Sequence, residues 1–442
     1  MTILRNLLNW HFKYLLAATS AIAMAQPAFG SGFGLIEQSV TGLGNAFAGS
    51  VAVSEDASTI YFNPAGLTFL PDNSIMGGAY LISPTVRFSN EGSTAVNGVS
   101  LRGSNGGEAG EDSFVPNFYA AWSVSERIKL GLGVNVPFGL ATKYEEDWVG
   151  RYQAVTSELK TININPTVAA KVTDELSIGL GLNIQYADAK LTNAIDFGAI
   201  ALAAGFPSQP QSADGFLEVQ GNDWSFGYNI GLLYAPSPDT RIGLAYRSGL
   251  EYTLEGEADF TTPQSAALLT RNGLFTDTDV KARLKTPDSL SLGFYQKVTP
   301  KIAVLGDVTW TNWSRFDELR IQYDNPVQPD SVQPENWEDT MRIGLGVNYL
   351  PNENLTLRAG VAYDQSPVRD DFRTPRIPDN DRFWLALGLS YRPTESLSFD
   401  VGYAHLFVGD ANIDQVNVTG DRLRGDIGSD VDIIGVQVNW RF

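Results

Sequence analysis

The stretch ELSIGLGLNIQYADAK, residues Glu175 to Lys190, alternates apolar residues with small or polar ones. The apolar positions are Leu176, Ile178, Leu180, Leu182, Ile184 and Tyr186, and the positions between them are Ser177, Gly179, Gly181, Asn183 and Gln185. A period of two is typical of a β-strand with one apolar face. The stretch therefore predicts a long strand whose two faces meet different surroundings.

Fourteen segments of this kind follow one another along the chain. They are Ser74–Phe88, Ser113–Val124, Arg127–Lys143, Thr156–Val172, Glu175–Lys190, Leu217–Ala235, Thr240–Ala258, Val280–Val298, Lys301–Tyr323, Trp337–Leu350, Asn354–Pro367, Asp381–Arg392, Ser396–Gly409 and Val431–Phe442. Most exceed the roughly 9–11 residues with which a tilted strand crosses a membrane. Strands of soluble sandwiches and propellers are shorter, at about 5–6 residues. The pattern favours a membrane barrel.

The connections between the segments alternate in length, which supports this interpretation. Short turns such as Ser125-Glu126 alternate with long polar loops such as Ser89–Asp112 and Asp410–Asp430. Aromatic residues gather near the segment ends, among them Tyr234 and Tyr391. Both features are typical of outer-membrane barrels. The fold class is therefore an all-β membrane protein, a fourteen-stranded antiparallel outer-membrane β-barrel.

Charged residues indicate which face of the strands lines the lumen. Arg241, Arg247, Glu251 and Glu255 share the parity of Gly243, opposite the apolar positions. A basic residue facing lipid at the midplane costs about 2–4 kcal/mol. All four residues are expected to face the lumen.

Composition excludes several classes of function. The 442 residues include no Cys and two His, so metal clusters and a Ser-His-Asp triad are poorly supplied. Residues 1–30 have the charge and apolar run of a signal peptide, and without Arg5 and Lys13 the net charge goes from −19 to −21. So acidic a chain is a poor nucleic-acid binder. We expect no enzyme activity, no cofactor, no metal site and no nucleic-acid partner.

The stretch Gly32 to Leu70 differs from the strands that follow. It is rich in small residues and ends in the turn signal Asn63-Pro64. It is predicted to form a compact plug inside the barrel. The domains are then a signal peptide at 1–30, an N-terminal hatch at 31–72 and the barrel at 73–442.

Several motifs resemble the FadL-type long-chain fatty acid transporters of Gram-negative outer membranes, and the resemblance covers the whole mature chain. They are GFGLIEQSVTGLGNAFAG from Gly32, Asn63-Pro64-Ala65, NVPFGLATKY from Asn135, WSFGYNIGLLY from Trp224 and IPDNDRFWLALG from Ile377. The resemblance implies a fourteen-stranded barrel with an N-terminal hatch. It also implies passive uptake of hydrophobic compounds, most plausibly long-chain fatty acids, with aromatic hydrocarbons as the alternative. A general porin and an outer-membrane lipase or protease are rival functions.

The resemblance also assigns a transport path. Phe33 matches a position whose movement opens the path, and Asn63, Pro64 and Ala65 match a hatch element beside it. On the residues alone, Asn63–Ala65 is a structural turn. Pro137, Phe138 and Gly139 interrupt a strand, because Pro cannot donate to the ladder. In the family such a kink lets substrate leave sideways into the membrane.

Two long loops contain apolar runs, FGAIALAAGF from Phe197 and SAALLTRNGLF from Ser265. Exposed apolar surface usually marks a binding site, and the resemblance places the family's outer capture groove here. The candidate capture residues are Phe197, Ile200, Leu202, Phe206, Leu268, Leu269, Leu274 and Phe275. A lid of packed helices is the structural alternative. The pairs Asp379/Asp381 and Asp277/Asp279 are interpreted as solvated loop residues rather than metal ligands.

One departure from the family concerns the carboxylate of the substrate. The position that aligns with the family's Arg after the fifth strand is Asn193, which leaves Lys190 as a possible carboxylate partner. The implied location is the Gram-negative outer membrane, as a multi-pass monomer. The expected partners are the hydrophobic substrate, outer-membrane lipid, lipopolysaccharide and, through the C-terminal strand, the barrel-assembly machinery.

Overall fold

The computed structural model describes residues 31–71 and 73–442, so the predicted signal peptide lies outside the described residues. Within them the helices are short, and none is long and apolar enough to cross a membrane. They are the α-helices α1 (Val40–Leu43), α2 (Ser50–Val53), α3 (Thr59–Phe62) and α4 (Phe197–Ala203), and 3-10 helices at Pro64–Phe69, Gln264–Ala266, Trp313–Arg315 and Asp370–Phe372.

Strands make up most of the remaining chain. They are β1 (Ser74–Asn90), β2 (Ser113–Ser123), β3 (Ile128–Asn135), β4 (Gly139–Lys143), β5 (Thr156–Lys171), β6 (Leu176–Asp196), β7 (Asp214–Ser237), β8 (Thr240–Arg247), β9 (Glu251–Thr261), β10 (Thr278–Lys285), β11 (Ser289–Thr299), β12 (Ile302–Thr311), β13 (Glu318–Tyr323), β14 (Ser331–Pro334), β15 (Thr340–Asn352), β16 (Leu355–Asp364), β17 (Arg382–Thr394), β18 (Leu397–Val408), β19 (Ala411–Val416) and β20 (Arg422–Arg441).

These segments close into a barrel. Five pairs continue one barrel strand across a short break (β3 with β4, β8 with β9, β10 with β11, β12 with β13, β18 with β19), and β14 lies in a loop, which leaves fourteen barrel strands. All neighbours are antiparallel, and β1 closes on β20 from Ser74↔Arg441 to Asn90↔Gly425. The predicted fourteen-stranded barrel is confirmed.

The burial pattern of the barrel is the reverse of that in a soluble protein, because the apolar side chains are exposed and the polar ones are buried. On β6, Ile178 and Leu180 are 42% and 50% exposed, whereas Ser177 and Asn183 are 1% and 0% exposed. The apolar parity therefore faces outward, toward lipid, and the small and polar parity faces the lumen. Exposed aromatic residues, among them Tyr234, Tyr391 and Trp440, lie toward the strand ends.

Two expectations about the barrel were wrong in part. Arg241 and Arg247 face the lumen as predicted, but the strand breaks at 248–250 and its parity changes there. In β9 the buried side chains are Tyr252, Leu254 and Ala258, and Glu251 and Glu255 are exposed on the outer face. The predicted long loop Asp410–Asp430 is instead an extension of the hairpin, since β19 pairs with β20.

Basic and amide side chains of the wall hold the hatch in the lumen. Because its helices are only about one turn long, many of its carbonyl groups lack intrahelical partners. Arg241 donates to the Val53 carbonyl (2.6 Å), Arg247 to that of Tyr61 (2.9 Å) and Arg342 to that of Ala46 (2.6 Å). Arg358 pairs with Glu55 at 2.6 Å. The hatch is thus bound to the wall over several barrel strands.

Leu180→Arg tests which face of β6 meets lipid. We expect it to lower the free energy of unfolding in lipid vesicles by about 2–4 kcal/mol, because the side chain faces lipid near mid-strand. Asp188→Arg is the matched control, since Asp188 shares the outer face of the same strand but lies beyond Tyr186, and we expect it to cost about 0–1 kcal/mol. Equal costs for the two variants would contradict the assignment.

Candidate functional site

The wall is interrupted in the third barrel strand, between β3 and β4. The pairing with β2 ends at Phe118↔Val134, and beyond the break the one bridge found in the described part of the chain, Gly110↔Thr142, crosses to the loop before β2. On the other side, β5 pairs with Asn135 through Asn163 and with Gly139 through Lys160. Three residues therefore stand opposite two, which is a bulge. Pro137 lies at its centre, where a missing N–H costs no ladder hydrogen bond.

The N-terminal segment, residues 31–38, supplies partners for the backbone of this break. Leu35 N–H donates to the Pro137 carbonyl (2.8 Å), and Gly139 N–H donates to the Phe33 carbonyl (2.9 Å). The Gln38 side chain donates to the Val136 carbonyl at 2.7 Å. Because an unpaired buried backbone group is costly, these bonds favour the position in which the segment covers the break.

An aromatic cluster fixes Phe33 beside the break. The ring is 1% exposed, and its centroid lies 4.8 Å from Trp313, 5.4 Å from Trp337, 5.5 Å from Phe316 and 5.9 Å from Phe138. Such contacts are worth about 0.5–1.5 kcal/mol per pair beyond burial. The structure thus brings two predicted elements together, Phe33 of the hatch and Phe138 of the kink.

Asp379 ties the N-terminal segment to the long loop that precedes β17. Its carboxylate accepts from Gly32 N–H (2.8 Å) and the Ser366 hydroxyl (2.8 Å), and it forms an ion pair with Arg382. Asp379 is 4% exposed, so the interpretation of this residue as a solvated loop acid was wrong. Its charge is buried because a guanidinium and two hydrogen-bond donors surround it.

Asn63, Pro64 and Ala65 lie where the hatch meets strands β6 and β7. The Asn63 side chain donates to the carbonyls of Val51 (2.7 Å) and Leu232 (2.9 Å) and accepts from Ala65 N–H (3.1 Å). A Cβ at Gly179 or Gly231 would overlap this element. In this arrangement Asn63–Ala65 attaches the hatch to the wall and begins the 3-10 helix Pro64–Phe69.

A cavity of about 160 Å³ lies beneath the aromatic cluster. Its apolar lining includes Leu35, Phe138 and Trp313. Its polar lining carries hydroxyl groups from β11, β12 and β15 together with charged residues. Those polar residues are Ser289, Ser291, Thr309, Thr311, Thr340, Glu37, Arg247, Arg342 and Asp364. The cavity therefore connects the N-terminal segment to the wall opposite the break.

The two apolar loops contact each other at the extracellular end. The rings of Phe197 and Phe275 are 5.0 Å apart. Leu202, Phe206 and Leu268 remain 39%, 42% and 55% exposed. Ile200, Leu269 and Leu274 are half-buried. Both alternatives are compatible with this arrangement, because the loops pack together and still leave apolar surface exposed.

The basic residue beside Asn193 is not the predicted Lys190 but Arg376. Lys190 is on the outer face of β6 and pairs with Glu218 at 2.7 Å. Ala187, which has the opposite parity on the same strand, packs in the lumen. Beside Asn193 lies another cation, Arg376, whose guanidinium donates to Asn193 Oδ1 (3.2 Å) and to the Ser157 hydroxyl (3.1 Å). Its other acceptors in the described residues are the carbonyls of Thr156 and Thr192.

Burial changes the protonation equilibria around Arg376. It lowers the pKa of Arg376 to about 10, so the guanidinium stays charged at neutral pH. The nearby Glu335 is 4% exposed and accepts from Trp337 Nε1 at 3.1 Å. Burial raises the pKa of Glu335 to about 8, against the opposing attraction of Arg376. Near neutral pH the pair therefore carries a net positive charge.

Residues 21–442 match the family model for the outer membrane protein transport proteins OMPP1/FadL/TodX. The chain belongs to this family. A putative outer membrane protein of Neisseria meningitidis is 32% identical over 97% of this chain and 98% of its own length. The long-chain fatty acid transport protein of Escherichia coli K12 is 30% identical over 89% of this chain and 91% of its own length.

Solved structures agree with this assignment. A Pseudomonas aeruginosa FadL homologue superposes with a TM-score of 0.87 at 25% identity, covering 93% of this chain and all of that one. The toluene transporter TodX of Pseudomonas putida shares the fold, with a TM-score of 0.68 at 17% identity over 87% of this chain and 94% of its own. This FadL-type chain is an outer-membrane transporter of hydrophobic compounds, in a family of transport channels rather than enzymes.

Sequence reasoning missed several residues of this FadL-type site. Arg376 directly precedes the quoted IPDNDRFW motif, and a basic residue next to a family motif was a usable signal. Trp313, Phe316 and Trp337 fall within the predicted segments Lys301–Tyr323 and Trp337–Leu350, whereas the structure places them between strands. No sequence pattern marked Glu37 as a lumenal residue, because the residues around it come from distant parts of the chain.

Phe33→Ala tests how the N-terminal segment is held. We expect the free energy that holds the segment over the break to fall by about 3 kcal/mol, since a buried ring is removed. Hydrogen exchange at the Leu35 and Gly139 amides should then become faster. Phe206→Ala, an exposed ring in a loop, should leave both exchange rates unchanged. Unaltered exchange in Phe33→Ala would contradict the role of the aromatic cluster.

Proposed function

We propose that this protein takes up long-chain fatty acids by passive diffusion and that Arg376 binds their carboxylate. The observation that supports this proposal is a half-buried guanidinium in the lumen whose described acceptors are all uncharged. A cation in an apolar lumen favours an anionic group on an otherwise apolar ligand, because a buried charge is costly without a partner.

The surroundings of Arg376 suit an acyl chain. The upper lumen is a continuous apolar cluster that includes Leu159, Tyr252, Leu284 and Ile377, the residue next to Arg376. Each methylene group taken out of water contributes about 0.8 kcal/mol. Binding energy therefore comes from the chain, and Arg376 discriminates in favour of the acid.

The path that we propose has three stages. Exposed side chains of the two contacting loops, such as Phe206 and Leu268, capture the substrate. It then enters the apolar cluster above Phe33. Displacement of the N-terminal segment uncovers the break at 136–138, and the substrate leaves sideways into the membrane. This exit keeps the acyl chain out of the aqueous periplasm, so no external energy source is needed.

Uptake of aromatic hydrocarbons is the second candidate function. It is favoured by the cluster of Phe33, Phe138, Trp313, Phe316 and Trp337, which offers edge-to-face contacts to an aromatic ring. In this alternative Arg376 has no ligand partner, and its removal leaves substrate binding unchanged.

Arg376→Ala separates the two candidates. We expect palmitate to bind the purified protein about 10- to 100-fold more weakly, since hydrogen bonds to a charged group are lost. The uncharged methyl ester of palmitate should bind as before. Titration calorimetry in detergent, corrected for empty micelles, measures both. Lys190→Ala is the control, because Lys190 lies on the outer face and pairs with Glu218. Unchanged palmitate affinity in Arg376→Ala would refute the carboxylate site.

Palmitate affinity should fall as pH rises through about 8, the pKa to which burial raises Glu335. Below this pH Glu335 is protonated and Arg376 is free to attract a carboxylate. Above it Glu335 becomes anionic and neutralises the guanidinium, so the ligand loses its partner. Glu335→Gln should remove the pH dependence, as measured by palmitate titrations on both sides of the transition. The same decline in Glu335→Gln would contradict this coupling.

A further inference from the structure

Glu37 is a buried carboxyl group without a partner. It is 0% exposed, and neither of its oxygens accepts a hydrogen bond from another described residue; apart from charged groups, only its own backbone opposes the effect of burial on its pKa. It lines the cavity beneath the aromatic cluster. The charged groups that act on it are Arg342 and Arg382, which attract its anion, and Asp364, which repels it. Burial is the largest influence and raises its pKa to about 7. Unpaired acceptors of this kind are rare in native interiors.

Unpaired donors line the same cavity. Arg342 Nε and Trp384 Nε1 have no hydrogen-bond partner in the described chain, although the two residues are 7% and 1% exposed. The carboxylates of Asp307 and Asp364 lie 4.0 Å from Arg342, beyond hydrogen-bond reach. The cavity therefore presents one orphan acceptor group and two orphan donors.

The lining of the cavity also suits an aromatic ring. It includes Phe138 and Trp313, with ring centroids 6.4 Å apart in an edge-to-face arrangement. The cavity measures about 160 Å³, and an apolar cavity of about 150 Å³ is known to hold benzene. Its size therefore fits one ring with a small substituent.

We propose that this cavity binds a small aromatic compound that carries a hydroxyl group. A hydroxyl group both donates and accepts, so it can satisfy Glu37 and one of the two donors together. A carboxylate cannot donate to Glu37, an ammonium cannot accept from Trp384, and a hydrocarbon leaves all three groups unpaired. The site lies next to Phe33 and does not include Arg376, so it does not rest on the fatty acid proposal, although it shares Phe138 and Trp313 with the apolar cluster of the upper lumen.

The test compares 4-methylphenol with toluene, which differ by one hydroxyl group. Titration calorimetry of the full chain in detergent, corrected for partition into empty micelles, should show 4-methylphenol binding about 10-fold more tightly, because a hydrogen bond to a buried polar group is added. Glu37→Leu removes the acceptor at similar size and should abolish this preference with little change for toluene. Glu218→Leu makes the same chemical change on the outer face and should preserve it.

Trp384→Phe provides a second variant if Glu37→Leu does not fold. It removes one donor and keeps the ring, so it should reduce the preference without abolishing toluene binding. Equal affinities for the two compounds in the unaltered protein, or no detectable binding of either, would overturn the proposal. A preference that persists in both Glu37→Leu and Trp384→Phe would also overturn it. Palmitate titrations of the same variants report separately on Arg376.

Discussion

The structure depends on hydrogen bonds from charged wall side chains to the backbone of the hatch. A plug built from one-turn helices leaves carbonyl groups unpaired, and in a closed lumen such groups need donors from elsewhere. Arg241, Arg247 and Arg342 supply them to Val53, Tyr61 and Ala46. Arg342 is buried and Arg241 and Arg247 are half-buried, so wall and hatch satisfy each other. Removing either partner leaves the other unpaired, and hatch and barrel therefore stabilise each other.

The hatch can approach the wall closely only where the lumenal face of the strands carries small side chains. A Cβ at Gly231 would overlap Asn63, and one at Gly360 would overlap Asn45. Glycine at alternate strand positions lets hatch backbone lie directly on wall backbone. The alternation of glycine with leucine along the strands therefore serves two surfaces at once, because the apolar residues face lipid while the glycines accept the hatch.

The chemistry of the lumen changes along the path. Above Phe33 it contains a large apolar cluster together with the charged residues Arg376 and Glu335, and below it the wall is lined by hydroxyl groups, with the charged residues Glu37 and Arg342. The N-terminal segment separates the two regions and also covers the break at Pro137. A single short segment thus covers the break and also lies at the boundary between two environments. Its attachment to Asp379 connects it to the loop that carries Arg376.

The sequence by itself determined the barrel. A period of two is a local property, and it is read correctly wherever a strand is regular, as in β6. It failed at 248–250, where the break reversed the parity and turned Glu251 outward. Only the tertiary structure decided the site. Arg376 and Asn193 are 183 residues apart, and Phe33 meets Trp313 and Trp337 across the lumen. Barrel closure and loop packing decide which residues become neighbours in the lumen. Side chains from distant strands converge in the lumen, and no local sequence pattern predicts these contacts.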